Sequence, residues 1–333
     1  MKENDIRPDN FIAKQKELYK IDQLNILKNK NQFIDICCPA CDDNEKTFIF
    51  QKDGFSFVEC NKCKTLFVNP RPSKESLFEH YNNSLSEKFW NDYIYPKSEE
   101  VRTQKIITPR IERLVKSISK YQIHMNTLID IGAGFGTFCH QIKRKTSFKR
   151  VIAVEPDHVL ATSCKKKGIE TLESFFEEIN IQNLKADVIT SFEIIEHVFS
   201  PKEFLSTISQ YMKHNALLYF TTPNIKGFDM LVLQDKSDNI TAPDHLNYFH
   251  PESISTLLKS YGFDVLEIST PGQLDTDIVR KKVDSGILSL ENNPFLKSLF
   301  VEKNKSLPSF QNWLKDNLLS SHMSVFARKA AQK

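Results

Sequence analysis

Four of the seven cysteines fall in two short pairs, Cys38-x2-Cys41 and Cys60-x2-Cys63, with 18 residues between the pairs. Each C-x2-C places two thiolates on one tight turn. Two such turns make a tetrahedral four-sulfur shell, the pattern of a structural zinc site with no open position for chemistry. Cys37 is a competing ligand beside Cys38, but a Cys37–Cys41 pair fits the turn less well. Cys139 and Cys164 lie on predicted helices and read as small core residues.

A second group surrounds the stretch "IDIGAGFGTF". Gly132, Gly134 and Gly136 alternate in a turn that follows a strand and opens a helix, as a nucleotide-binding loop does. The stretch is not G-x-x-x-x-G-K-[ST], which excludes a phosphate-cradling P-loop, and it departs from G-x-G-x-x-G. Asp130 precedes the turn. Glu155 ends the next strand, 19 residues after Gly136, where a carboxylate accepts both ribose hydroxyls. That acid suits a nicotinamide dinucleotide or S-adenosylmethionine. Asp130 separates them, because a carboxylate there opposes a pyrophosphate and attracts a methionine ammonium. A second role is compatible with the first: Asp130 holds the loop by accepting backbone N–H groups.

A third group consists of histidines and acids suited to moving a proton near neutral pH. His245, in "PDHLNYF", follows the fifth core strand on the carboxyl edge of the sheet; it reads as a base or a loop anchor. His197, in "EIIEHV", lies one helical turn beyond Glu193 and reads as functional or as part of a tight turn. Asp244 is adjacent to His245, and adjacent side chains rarely face each other. His250 reads as a helix start. Asp275 and Asp277 share one side of an expected extended segment, to bind sugar hydroxyls or to face solvent. Trp90, Tyr93 and Tyr95 form an aromatic cluster that packs a helix or, through Tyr93 or Tyr95, closes a lid.

The elements that position these groups alternate. "TLIDIG", "RVIAVEP", "IETL", "ADVITSFEII", "ALLYFTTPN" and "FDVLEIST" read as strands with helices between them, which calls for a parallel sheet covered on both faces. Ser200, Pro201 and Glu203 mark a capped helix start. The expected organisation is a loose arm over 1–30, a zinc ribbon over 31–72 and a helical linker or lid over 73–122. A core over 123–270, an insertion over 271–321, and a final strand and tail over 322–333 follow. The fold class that this alternation calls for is α/β, with a small N-terminal ribbon.

The 333 residues carry a net charge of +3, with 40% hydrophobic and 26% charged residues. That balance lacks the basic footprint of a nucleic-acid binder. With no apolar run of membrane-spanning length and no apolar signal core, a cytoplasmic protein is expected.

"LIDIGAGFGTF", "AVEPD", "ADVITSFEIIEHVFSP" and "LLYFTTPN" together resemble the class I S-adenosylmethionine-dependent methyltransferases, over roughly residues 125–270 plus the closing strand. The resemblance is strongest to the subgroup of ubiquinone-biosynthesis O-methyltransferases and sugar and antibiotic methyltransferases. It implies a Rossmann-like seven-stranded sheet with an antiparallel last strand, a role that "SHMSVFARK" suits. It also implies that Asp130, Gly132, Ala133 and Gly134 surround the methionine part of S-adenosylmethionine, and that Gly136 permits close helix packing. Glu155 would hold the ribose, Pro156 and Asp157 would border the adenine, and Glu173 to Phe175 would close over its edge. Phe192 and Glu193 would lie beside the reacting methyl group. The four-cysteine module in front of such a core resembles that of sugar C-methyltransferases and surface-glycan methyltransferases.

The function expected is methyl transfer to a hydroxyl or carbon of a small molecule, a sugar or nucleotide-linked sugar of glycan biosynthesis, with His245, His197 and Glu193 as catalytic candidates. The alternative is an RNA methyltransferase whose zinc ribbon grips RNA. Against it, module 31–72 carries five cations facing six acids. A binding protein with a degenerate site is disfavoured by the intact Asp130, glycines and Glu155.

Overall fold

The computed structural model describes residues 2–330; residues 331–333 of the expected tail lie outside the described residues. The cysteine module folds into β1 (Lys46–Lys52), β2 (Phe55–Cys60) and β3 (Leu66–Val68). The core begins with β4 (Thr127–Ile131), β5 (Arg150–Val154), β6 (Glu170–Leu172), β7 (Ala186–Phe192) and β8 (Met212–Pro223). A short β9 (Asn247–Tyr248) pairs back onto β3, so the small sheet runs β1-β2-β3-β9 and is stitched to the core. β10 (Phe263–Ser269) and β11 (His322–Lys329) complete the main sheet in the order β10-β11-β8-β7-β4-β5-β6.

The α/β architecture expected from the alternation is present, with the seven strands that the resemblance implies. β4 to β8 are parallel, and β11 runs antiparallel between β8 and β10. Every residue of β4 after Thr127 and of β5 after Arg150 is buried, as strands covered on both faces require. Two apolar clusters fill the two faces: one contains Ile129, Ile152, Ile189 and Leu218, the other Leu128, Val151, Val188 and Leu217. Strand order reverses at β4, which makes the carboxyl ends of β4 and β7 the crevice where open sheets bind ligands.

Residues 1–30 are not a loose arm. Asp9–Leu27 is a helix whose Asp22 is 3% exposed. The Asp22 carboxylate accepts from the Leu85 and Ser86 amides at 3.0 and 2.9 Å and from the Ser84 and Ser86 hydroxyls. It thereby fills the open donors of the helix that starts at Leu85. That helix continues to Tyr121 through two π segments, Trp90–Ile94 and Thr103–Ile107, which precede Pro96 and Pro109. Proline lacks the N–H for the regular ladder, and the wider turns absorb the loss.

Asp275 and Asp277 do not lie on an extended segment; they begin the helix Asp275–Asp284. Asp275 is 2% exposed and accepts from Ser320, Ser321 and Gln311, so it is a buried clasp. Residues 271–321 build a lobe of their own. Val279, Leu296, Leu299, Phe300, Leu307 and Leu314 pack with Phe228 and Leu233.

Candidate active site and metal centre

The glycine turn leaves β4 at the reversal point. Gly134 has φ +55°, and a side chain there would meet no atom within 4 Å, so open space borders the turn. Gly136 has φ +71°, and a Cβ there would lie 3.1 Å from the Cys164 backbone, so the helix His158–Lys166 closes onto the turn. Gly132 and Ala133 donate to the Val154 carbonyl at 2.9 and 3.2 Å, fixing the turn against β5.

Glu155 ends β5 beside that space. Its two oxygens accept from the Gly134 amide at 2.7 Å and the Asp157 amide at 3.0 Å. Burial pushes its carboxyl up to about 7, against the pull of those two amides. Pro156 is exposed at the strand end, and Asp157 caps the next helix by accepting from the Leu160 amide. Glu173 pairs with His158 and Lys165 on the surface, while Phe175 packs on Phe78 with ring centres 4.4 Å apart.

Asp130 turns inward. It is 1% exposed, and its oxygens accept from Thr190 Oγ1 at 2.7 Å and Cys139 Sγ at 3.4 Å. Burial raises it to about 6. The backbone-holding role expected of it falls instead to Glu155, which accepts from Gly134.

Over the turn lies Tyr95, stacked on Phe135 at 4.2 Å and 9°, with its hydroxyl 3.1 Å from Thr137 Oγ1. Arg102 covers Trp90 and Tyr95 at 4.8 and 5.8 Å. Tyr93 is half exposed and packs on Phe89.

Phe192 closes β7 with the Arg110 guanidinium 4.5 Å above its ring. Glu193 follows with φ +57°. Its Oε1 accepts from Arg110 at 3.1 Å and from Thr221 Oγ1 at 2.5 Å, and lies 3.6 Å from His322 Nδ1. Burial would raise this carboxyl, but His322, Arg110 and the Thr221 hydroxyl outweigh it and hold it below its ordinary value. Sequence reading placed Glu193 here and missed Arg110, Thr221 and His322. Arg110 is supplied by the long helix and sits in no motif; His322 comes from the start of β11, in "SHMSVFARK", a stretch read only as a closing strand.

His197 and His245 meet edge to face, ring centres 4.6 Å apart. The Asn239 carbonyl lies 3.0 Å from His245 Nδ1, so that nitrogen carries the proton and Nε2 keeps its lone pair. Burial lowers both imidazoles, which are neutral at pH 7. Asp244 does not face His245; it pairs with His80 Nε2 at 2.9 Å. His250 caps the helix Pro251–Ser260. Glu196, absent from the candidates, is fully buried, and its Oε1 has no hydrogen-bond partner among the described residues. Its carboxylate and the nitrogens of His197 and His245 lie within 4.8 Å of one another, a donor set that a divalent cation accepts.

The cysteine pairs converge as the spacing predicts. The Sγ atoms of Cys38, Cys41, Cys60 and Cys63 lie within 4.8 Å of one another, with Cys38–Cys63 at 3.4 Å and Cys41–Cys60 at 3.6 Å. Sulfurs about 2.3 Å from a central zinc have edges of roughly 3.8 Å, so the donor set fits the ion. The two turns match bond for bond. Cys38 and Cys60 carbonyls accept from Asp42 and Lys64 amides, and Asp42 and Lys64 both have positive φ. Cys37 is exposed and outside the cluster. Arg71, fully buried, ties the module to the core through the Val68, Phe199 and Leu246 carbonyls and Asn247.

A family model described as a methyltransferase domain matches residues 103–268. The chain is 29% identical over 139 residues to "Ubiquinone biosynthesis O-methyltransferase, mitochondrial" of Dictyostelium discoideum, covering 36% of this chain and 43% of that protein. It is 21% identical over 218 residues to "C-methyltransferase NovU" of Streptomyces niveus, covering 64% of this chain and 47% of that protein. The chain thus spans less than half the length of these curated relatives. Among solved structures, the plantazolicin methyltransferase BpumL in complex with SAH superposes with a TM-score of 0.49 and 14% identity, covering 78% of this chain and 95% of that chain. A methyltransferase domain thus spans residues 103–268, and the chain is similar there to S-adenosylmethionine-dependent and ubiquinone-type methyltransferases.

Proposed function

We propose that the protein transfers a methyl group from S-adenosylmethionine to a hydroxyl or carbon of a small-molecule acceptor, a sugar or nucleotide-linked sugar of glycan biosynthesis. The observation that carries this is the adjacency of two half-sites on one sheet edge. The open space at Gly134 and Glu155 suits the donor, and the Glu193–Arg110–His322 cluster with His245 suits the acceptor.

When bound, the cofactor supplies an electrophilic methyl on a sulfonium. Gly134 and Ala133 give it backbone approach, Glu155 takes the ribose hydroxyls, Pro156 and Asp157 border the adenine, and Tyr95 roofs the turn. Asp130 acts through the turn, from beneath it. On the acceptor side, Glu193 stays ionised and takes a hydrogen bond from the acceptor, which orients it for in-line attack. His245 Nε2 removes the acceptor proton, and its edge contact with His197 fixes the ring. Zinc at Cys38, Cys41, Cys60 and Cys63 is structural. Similarity to the protein named C-methyltransferase NovU spans more of the chain than the methyltransferase domain does, which supports carbon as an acceptor atom.

Calorimetry with S-adenosylhomocysteine tests the donor half, with binding expected at micromolar levels. His245→Gln and Glu193→Gln are expected to keep that affinity and to lose about 100-fold or more in turnover of a sugar acceptor. A chain that binds neither the donor nor its product overturns the reading.

A further inference from the structure

We infer that the cavity between the helices Asp275–Asp284 and Leu307–Asp316 is an anchoring subsite for a phosphate- or pyrophosphate-bearing part of the acceptor. This rests on the methyltransferase reading and names the acceptor class. The cavity measures about 720 Å³ and is lined by Lys2, Gln273, Asp277, Arg280, Asn304 and Lys315, among others. That volume lies within the roughly 300–1,000 Å³ of small-molecule sites.

Its charge is unbalanced. Three cations face one carboxylate, and Asp277 already accepts from the Glu3 amide at 2.9 Å. Arg280 and Lys315 are half-buried, and neither makes an ion pair among the described residues. Arg280 lies over the Phe300 ring at 5.9 Å, which aims its fork without neutralising it. Cations partly withdrawn from water and left without a counter-ion favour an anion, and a guanidinium fork matches phosphate oxygens. Gln273, Asn304 and Asn312 add amides able to donate to phosphate or hydroxyl groups.

The floor of the cavity is tied to the reacting edge by buried hydrogen bonds. Gln311 lines it and donates to Asp275 at 2.7 Å; Asp275 accepts from the Ser321 amide at 2.7 Å; the next residue, His322, lies 3.6 Å from Glu193. The lobe that holds the cavity is thus braced against the strand that carries His322.

The full chain is titrated calorimetrically with uridine diphosphate, inorganic pyrophosphate and S-adenosylhomocysteine, beside the double variant Arg280→Gln/Lys315→Gln. Both phosphates are expected to bind the parent protein and to weaken at least ~10-fold in the variant, with S-adenosylhomocysteine affinity and melting midpoint unchanged. Tighter binding of uridine diphosphate than of pyrophosphate extends the subsite to the nucleoside; equal binding restricts it to phosphate. If the double variant melts lower, Lys315→Gln alone is expected to weaken both by several-fold. Equal binding by parent and variants, or none at about 5 mM, overturns the subsite while S-adenosylhomocysteine binding leaves the methyltransferase reading standing. Absence of S-adenosylhomocysteine binding overturns both.

Discussion

At the scale of single residues, the site is governed by where carboxylates lose water. Glu155, Asp130 and Glu193 all sit at strand ends, yet burial raises the first two while cations hold the third down. Residue type was legible in the sequence, and charge state was not, because Arg110 and His322 arrive from segments 83 and 129 positions away from Glu193. Glu155 gives a testable sign. Its folded value of about 7 exceeds its ordinary 4.5, so the folded chain holds this proton more tightly than the unfolded one. The stability that this proton gives is present below pH 4.5 and lost as pH rises through 7. Glu155→Gln removes that loss. Relative to the parent, the ligand-free variant is expected to gain on the order of 2 kcal/mol between pH 5 and pH 8 in denaturant unfolding. Comparing the two proteins cancels the histidines, whose lowered values act with the opposite sign. A difference independent of pH would show that Glu155 ionises normally.

At the scale of elements, spacing predicted more than the neighbours did. The C-x2-C pairs were readable because each fixes a local turn, and the two turns repeat the same hydrogen bonds. Their placement was not readable: β3 pairs with β9, two residues beyond His245, so the ribbon braces the acceptor loop. Cys60→Ser is therefore expected to abolish one bound zinc per chain by elemental analysis and to lower the melting midpoint. It should also reduce turnover more than donor affinity, because the damage reaches His245 and not Gly134. A variant that loses zinc and keeps full turnover would separate ribbon from site. The long helix makes the same point. Its π segments end just before Tyr95 and shortly before Arg110, and each realigns the following turn toward the sheet edge. Residues 73–122 read as helical from the sequence, but the π segments that carry the helix past Pro96 and Pro109 were not legible there.

At the scale of the whole molecule, the pieces outside the core enclose the crevice. The helix Asp9–Leu27 docks through Asp22 on the start of the long helix, and Gln23 donates to the Ala242 carbonyl at 2.7 Å, beside the His245 loop. Asp22→Ala strips four donors of one charged acceptor and leaves the buried Ser84 and Ser86 hydroxyls with only each other as side-chain partners. A loss of roughly 2–4 kcal/mol in unfolding free energy is expected, with faster proteolysis within the first 30 residues. Unchanged proteolysis would show that the helix is held by its apolar face alone. The 271–321 lobe is clasped by Asp275 in the same manner, one buried carboxylate gathering donors from Ser320, Ser321 and Gln311.

The sequence by itself determined what local chemistry encodes: the alternating strands and helices, the glycine turn with Glu155 one strand later, and the two cysteine turns. Each depends on residues near one another in the chain, where backbone geometry and hydrophobic period leave few alternatives. Only the tertiary structure decided which groups share a site. Arg110, Thr221, His322 and Glu193 converge because β7, β8 and β11 are neighbours in the sheet and the long helix crosses their ends. It likewise decided that Asp130 faces the core and that the first 30 residues carry a docked helix. Such contacts join distant segments, and no periodicity within a segment records the partner that will bury it.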